Sequence, residues 1–193
     1  MTAPGVVRRI WAPTTLAIAL FTGGIGAATA AAANTPAKNA TGISPTAGTE
    51  LLFQKNHTDP TDSRLVAKKG GLVIASYRAG SGTTKDECAK ERGWLPNGSY
   101  RVLGHVRNKN STIKGFAIHV EDKRCHNGSA TRTELFVHSE MLPDGGQGGS
   151  ESTRWDGPRD YHSLGCVKLH PDDIKHLFGV MDTHGWSPVL HVG

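Results

Sequence analysis

From Ser63 onward, apolar and polar positions alternate in short runs separated by glycine, proline and asparagine. Leu65-Val66-Ala67 and Leu72-Val73-Ile74-Ala75-Ser76-Tyr77 flank Lys68-Lys69-Gly70-Gly71, the pattern of two strands around a glycine turn. Ala79 to Gly82 reads as a loop, and Lys85 to Arg92 as one or two helical turns ended by Gly93. Pro96-Asn97-Gly98 marks a turn, and Ser99 to Val106, Lys114 to Val120 and Thr133 to His138 read as further strands. From Pro171 to Met181 the period lengthens: Ile174, Leu177, Phe178 and Met181 share one face of a helix, opened by proline and two aspartates. Val189 to Val192 closes the chain as a strand. Many short strands with one or two short helices imply a mainly β domain, sandwich-like or with a partly closed sheet.

The first residues obey a different rule. Arg8 and Arg9 precede an apolar stretch from Ile10 to Ile25, and small residues follow around Ala27 to Ala33. Residues 1–33 therefore read as a secretory signal peptide. The apolar stretch is short for a membrane span and is broken by Gly23, Gly24 and Gly26. The arginine pair lacks the flanks of a twin-arginine signal, and no cysteine offers a lipid attachment site near the cleavage region. Residues 34–62, rich in Ala, Thr, Pro and Asn, read as a flexible linker in which Leu51-Leu52-Phe53 is an apolar cluster able to dock on the domain. The folded domain is expected over 63–193, and the mature protein is expected to be secreted and extracytoplasmic.

Charge and cysteine content refine this picture. The whole chain carries a formal charge of +5, and loss of the segment bearing Arg8 and Arg9 leaves about +3. Those charges are dispersed, which argues against a nucleic-acid partner. A monomer without stable membrane association after cleavage is expected. The three cysteines, Cys88, Cys125 and Cys166, leave one without an intramolecular partner if two are bridged. Cys88 and Cys125 both sit in polar, charged contexts, so the expected disulfide joins them and leaves Cys166 free.

Cys166 has the context of a nucleophile. In Tyr161-His162-Ser163-Leu164-Gly165-Cys166-Val167-Lys168-Leu169-His170-Pro171, a glycine turn delivers the thiol at the start of a strand. A thiol with a free pKa of about 8.5 needs a base at neutral pH. Histidine is the usual one, with a third group fixing its tautomer. His138, at the end of the Thr133–His138 strand, is the candidate base. A buried inert cysteine is the simpler reading of Cys166 taken alone.

Phe136-Val137-His138 followed by Ser163-Leu164-Gly165-Cys166-Val167-Lys168-Leu169 resembles the L,D-transpeptidase, or YkuD-like, family: a histidine at a strand end, a loop, then Ser-His-Gly-Cys, an aliphatic residue and arginine. Leu72 to Gly82, Leu95-Pro96-Asn97-Gly98-Ser99-Tyr100 and the helix after the cysteine strand extend the likeness over roughly 63–193. The resemblance implies a β-sandwich with one or two short helices and no cofactor or metal. It implies an exported enzyme, facing a cell wall or periplasm, that acts on peptidoglycan stem peptides. In that scheme Cys166 attacks the carbonyl before a terminal D-alanine, and His138 serves as base and then acid. The Ser139 carbonyl orients the ring, Gly165 and Cys166 give N–H groups to the oxyanion, and Ser163 braces the turn. Transfer to an amine forms a 3→3 cross-link, and transfer to water makes an L,D-carboxypeptidase.

The chain departs from the family pattern at three places. Leu164 stands where the family usually has histidine, and Lys168 where arginine is common. The segment between His138 and Ser163 is long, with glycines at 145, 146, 148 and 149 and then Arg154-Trp155. One reading makes Gly145 to Tyr161 a lid in which Arg154 and Trp155, with Ser163 and Lys168, contact the substrate; the other makes it a surface insertion. Two rival functions follow from the same residues: a cell-wall-binding module that has lost turnover, and a zinc site on Cys166 with His138, His162 or His170. The latter lacks a familiar ligand spacing. A papain-like order is excluded, because there the cysteine precedes its histidine and opens a helix.

Overall fold

A computed structural model of the chain describes residues 48–193. The expected signal segment and the first part of the expected linker lie outside the described residues. The strands are β1 (Thr49–Gln54), β2 (Ser63–Lys69), β3 (Leu72–Ser81), β4 (Gly98–Asn110), β5 (Lys114–Val120), β6 (Lys123–Arg124), β7 (Thr131–Arg132), β8 (Leu135–His138), β9 (Val167–Leu169) and β10 (Val189–Val192), with one helix, α1 (Pro171–His184), between β9 and β10.

The mainly β expectation holds, and the sheet closes on itself. Its order is β1-β10-β4-β5-β8-β9-β3-β2, and β1 returns to pair with β2. Two contacts in this ring are parallel, β1 with β10 and β8 with β9, and the rest are antiparallel. Strands β6 and β7 form a separate small ribbon. Closure removes the free edges that an open sheet would present to other chains.

The alternation in the sequence sets which face is covered. Leu65 and Ala67, Ile118 and Val120, Leu135 and Val137, and Val167 and Leu169 enter one core with Leu51, Phe53 and Tyr100. Ile174, Leu177, Phe178 and Met181 of α1 enter the same core and are fully buried. Pro171 occupies the first helical turn, where its missing N–H costs nothing, and the His170 ring accepts from the Asp172 N–H.

Several boundaries differ from the sequence reading, and Ala79 to Ser81, read as loop, continue β3 and pair with β9. The segment 34–62 is not linker throughout, because Thr49–Gln54 is a core strand and Pro60–Asp62 a 3-10 turn capped by Asp59. Leu51 and Phe53, part of the apolar cluster expected to dock on the domain, alternate inward there as a strand of the closed sheet. Residues 85–92 form turns instead of helix, with Glu91 in a left-handed conformation (φ 57°) and Thr84 bridged to Gly93. Strand β8 starts at Leu135, not Thr133, because Glu134 also takes a positive φ of 53° and breaks the extended run.

Phe53→Ala should lower the unfolding free energy by about 3–5 kcal/mol, the cost of an aromatic cavity in a packed core. Gln54→Ala, on the exposed end of the same strand, should change it by less than about 0.5 kcal/mol. Urea titrations of the two variants compare them, and equal midpoints would show that β1 is not part of the core.

Candidate active site

The parallel pairing of β8 with β9 builds the site. Its register sets Val137 beside Val167 and His138 beside Lys168. Val137 and Val167 point into the core and are fully buried. Side chains alternate along strands, so Phe136, His138, Cys166 and Lys168 share the outer face. There a cleft of about 950 Å³ opens, lined by Cys166, His138, Ser139, Glu140, Glu134, Arg132, Leu164 and Lys168 among others. The tip of the β4–β5 hairpin, from Lys109 to Lys114, forms one wall.

Cys166 is the free cysteine, and a disulfide joins Cys88 to Cys125. The thiol is half-buried and faces the Glu134 carbonyl at 3.6 Å. The left-handed backbone of Glu134 aims that carbonyl, and a non-glycine residue in this region stores strain of the kind found at functional sites. Burial pushes the thiol up to about 11, against the opposing pull of the Phe136 N–H, Lys168 and Arg132. His138 is buried, and its Nδ1 lies 3.0 Å from the Ser139 carbonyl oxygen. An Nδ1–H donated to that oxygen leaves Nε2 as the acceptor. Burial, and secondarily the charge of Lys168, hold His138 down to about 4. The resting pair is thus a neutral thiol and a neutral imidazole.

The turn before the cysteine is built around one hydroxyl. Ser163 Oγ accepts from the N–H groups of Gly82 and Gly165, each at 2.9 Å, and donates to the Cys166 carbonyl at 2.6 Å. Ser81 Oγ donates to the Gly165 carbonyl and accepts from the Leu95 N–H. Gly165 has φ 129°, and a Cβ there would overlap the Arg132 guanidinium, so both backbone and space require glycine.

Several expected roles need correction. The N–H of Gly165 is committed to Ser163, so it is not an available oxyanion donor. Ser163 lines the cleft, and its hydroxyl is used within the turn as the brace expected of it. Lys168 lines the cleft but is ion-paired to Glu140. Arg154 and Trp155 do not line the cleft. Arg154 is held by Glu151, Asp156 and the Gly149 carbonyl of its own loop. The Trp155 N–H donates to Gln147, and its ring packs edge-on against Tyr161 and His170. Gly148 is not a hinge: it donates to the Thr153 carbonyl, and Thr153 packs where a Cβ would stand. Sequence reasoning missed Arg132, Glu134 and Glu140. Single charged residues give no periodic signal, and only the convergence of distant segments brings buried Arg132, half-buried Glu140 and exposed Glu134 into one cleft.

The two shifted groups make stability depend on pH in opposite directions. Below its ordinary 6.5, the unfolded chain protonates His138 while the folded protein does not until about 4. That contribution is fully present above pH 6.5 and is lost as pH falls toward 4. Between 9 and about 11 the folded protein keeps the Cys166 proton that the unfolded chain loses, so stability falls as pH rises through that range. In urea titrations across pH, His138→Gln should flatten the acid slope relative to wild type, and Cys166→Ala the alkaline one. Unchanged slopes would remove both groups from the pH response.

A family model described as YkuD, the L,D-transpeptidase catalytic domain, matches residues 57–189. No curated protein sequence is matched. Among solved structures, the chain is similar to Mycobacterium tuberculosis L,D-transpeptidase 1 at 16% identity over 76% of this chain and 62% of that one, TM-score 0.41. It is similar to a Mycobacterium smegmatis L,D-transpeptidase at 18% identity over 76% of this chain and 59% of the other, TM-score 0.45. A third is the catalytic domain of the E. faecium L,D-transpeptidase, at 14% identity over 79% and 100%, TM-score 0.39. The chain spans less than two thirds of the first two. With the family model covering most of its length, the chain belongs to the YkuD family of L,D-transpeptidase catalytic domains.

Proposed function

We propose that the protein is an exported cysteine acyltransferase that works on peptidoglycan stem peptides, forming 3→3 cross-links or trimming the terminal D-alanine. The observation that carries this reading is the placement of Cys166 and His138 on one face of adjacent strands, in one cleft, with the imidazole tautomer set by Ser139. Family membership supplies the reaction class, and the apolar segment after Arg8-Arg9 supports export.

The protonation states favour a concerted start. Nε2 of His138 takes the thiol proton as the sulfur attacks the stem-peptide carbonyl. Charge develops on the carbonyl oxygen, and with the Gly165 N–H occupied, the Cys166 N–H is the candidate donor from the turn. The C–N bond then breaks, His138 returns the proton to the departing D-alanine amine, and a thioester remains on Cys166. An acceptor amine forms the cross-link by displacing the thiol. Water in its place releases a shortened stem.

The same observations favour a second reading, a wall-binding module with weak or no turnover. A thiol pushed up to about 11, an imidazole held down to about 4 and an exposed Leu164 in place of the usual histidine all reduce reactivity.

Intact-mass measurement of the purified protein with a stem tetrapeptide separates the two. An enzyme gains the acyl mass on Cys166 and releases D-alanine, and Cys166→Ser abolishes both. No adduct and no D-alanine from wild type, with binding retained, would establish the module instead.

A further inference from the structure

Arg132 is buried to 5% exposure, and all its hydrogen bonds among the described residues go to carbonyl oxygens. Nη1 reaches the carbonyls of Glu87 at 3.1 Å and Gly93 at 3.3 Å. Nη2 reaches Gly93 at 3.3 Å and Leu164 at 2.6 Å. The planar fork therefore ties the turn that carries Cys166 to the segment 87–94. Burying a guanidinium is expensive unless its donors are satisfied. Carbonyls satisfy the donors and leave the charge without a bonded carboxylate.

We propose that Arg132 is the positioning residue of the nucleophile turn: it fixes Leu164 and Gly165 against segment 87–94 and supplies the positive charge that favours a thiolate on Cys166. This rests on the reading of Cys166 as the nucleophile. Four observations converge on it. Gly165 is packed so closely on the guanidinium that no Cβ fits between them. Arg132 lines the same cleft as Cys166. The charged or titratable groups that face the thiol are Lys168 on β9, Arg132 on β7, and Glu134 and His138 on or beside β8. Of the two cations, Lys168 is offset by Glu140, whereas Arg132 bonds only neutral groups. A buried charge of this kind is screened little by salt. Lysine at 132 would keep the charge but not the fork that bridges two segments.

The Cys88–Cys125 disulfide completes the device. Cys88 lies beside Glu87, whose carbonyl Arg132 holds, and the Cys125 N–H bonds the Ala130 carbonyl at the base of the ribbon that carries Arg132. The bridge thus fastens segment 87–94 to the ribbon that carries Arg132.

The test is the rate of Cys166 alkylation by iodoacetamide, followed by intact mass across pH, which needs no peptide substrate. Arg132→Met should move the onset of reactivity upward by about one pH unit, so that at a fixed pH below it the rate falls about ten-fold. Arg132→Lys should restore the onset while leaving kcat for stem-peptide acylation below wild type. The paired Cys88→Ala and Cys125→Ala protein should alkylate more slowly at all pH values without a shifted onset. A folded Arg132→Met protein with the wild-type profile overturns the charge role. Should that variant not fold, Arg132→Lys decides alone: a shifted onset, or a wild-type kcat, overturns the proposal. Absence of an acyl-enzyme with any stem peptide would refute the acyltransfer reading while leaving the alkylation comparison intact.

Discussion

The parallel contact between β8 and β9 is the constraint on which the site depends. The pairing is short, with β9 only three residues long. Val137 and Val167 drive it by entering the core together, and His138 and Cys166 face outward as a consequence. A slip of one residue would turn Cys166 inward and Val167 toward the cleft, exposing a fully buried valine. The hydrophobic core thereby holds the geometry of two polar side chains that make no contribution to it. Parallel neighbours also need a long crossover, and the segment from Ser139 to Cys166 provides it.

Around this frame the polar groups are arranged to limit resting charge. Lys168 and Glu140 neutralise each other beside the imidazole, and burial raises the Glu140 carboxyl even with lysine attached. One carboxylate oxygen of Glu140 and the Ser139 hydroxyl are buried with no partner among the described residues.

Much of this was legible in the sequence because it depends on local chemistry. The alternation that gives β2, β3, β5 and β8, the amphipathic stripe of α1 and the Gly-Cys turn all follow from residues close together in the chain. Leu51-Leu52-Phe53 was legible as an apolar cluster that docks on the domain but not as strand β1, because it sits in a polar, proline-rich neighbourhood and one of its two partners, β10, lies at the far end of the chain. The role of Ser163 was half visible: a serine two residues before a turn glycine suggests a local brace on the Gly165 N–H, but that its hydroxyl also takes the Gly82 N–H depends on the chain arriving from β3. Arg132 was invisible because its surroundings come from segments 87–94, 130–132 and 163–165.

The long segment between Leu142 and Tyr161 shows why composition alone misleads about motion. The four glycines at 145, 146, 148 and 149 suggest a hinge. In the fold, the Gly146 carbonyl accepts from the Leu142 N–H, and the Gly146 N–H donates to Asp144. Buried Asp160 accepts from the N–H groups of Asp156 and Gly157. Tyr161 then lies under the Arg78 guanidinium, 4.7 Å from its ring centre, and the chain passes directly into the Ser163 turn. A segment fastened at so many points next to the nucleophile transmits stiffness to it. The crossover is long because it must travel from the end of β8 to the start of a parallel neighbour. It is rich in glycine because its tight returns bring backbone against Thr153 and Asp144. Its contribution to the site is to deliver Ser163 at a fixed place, from which the turn, Gly165 and the thiol take their positions.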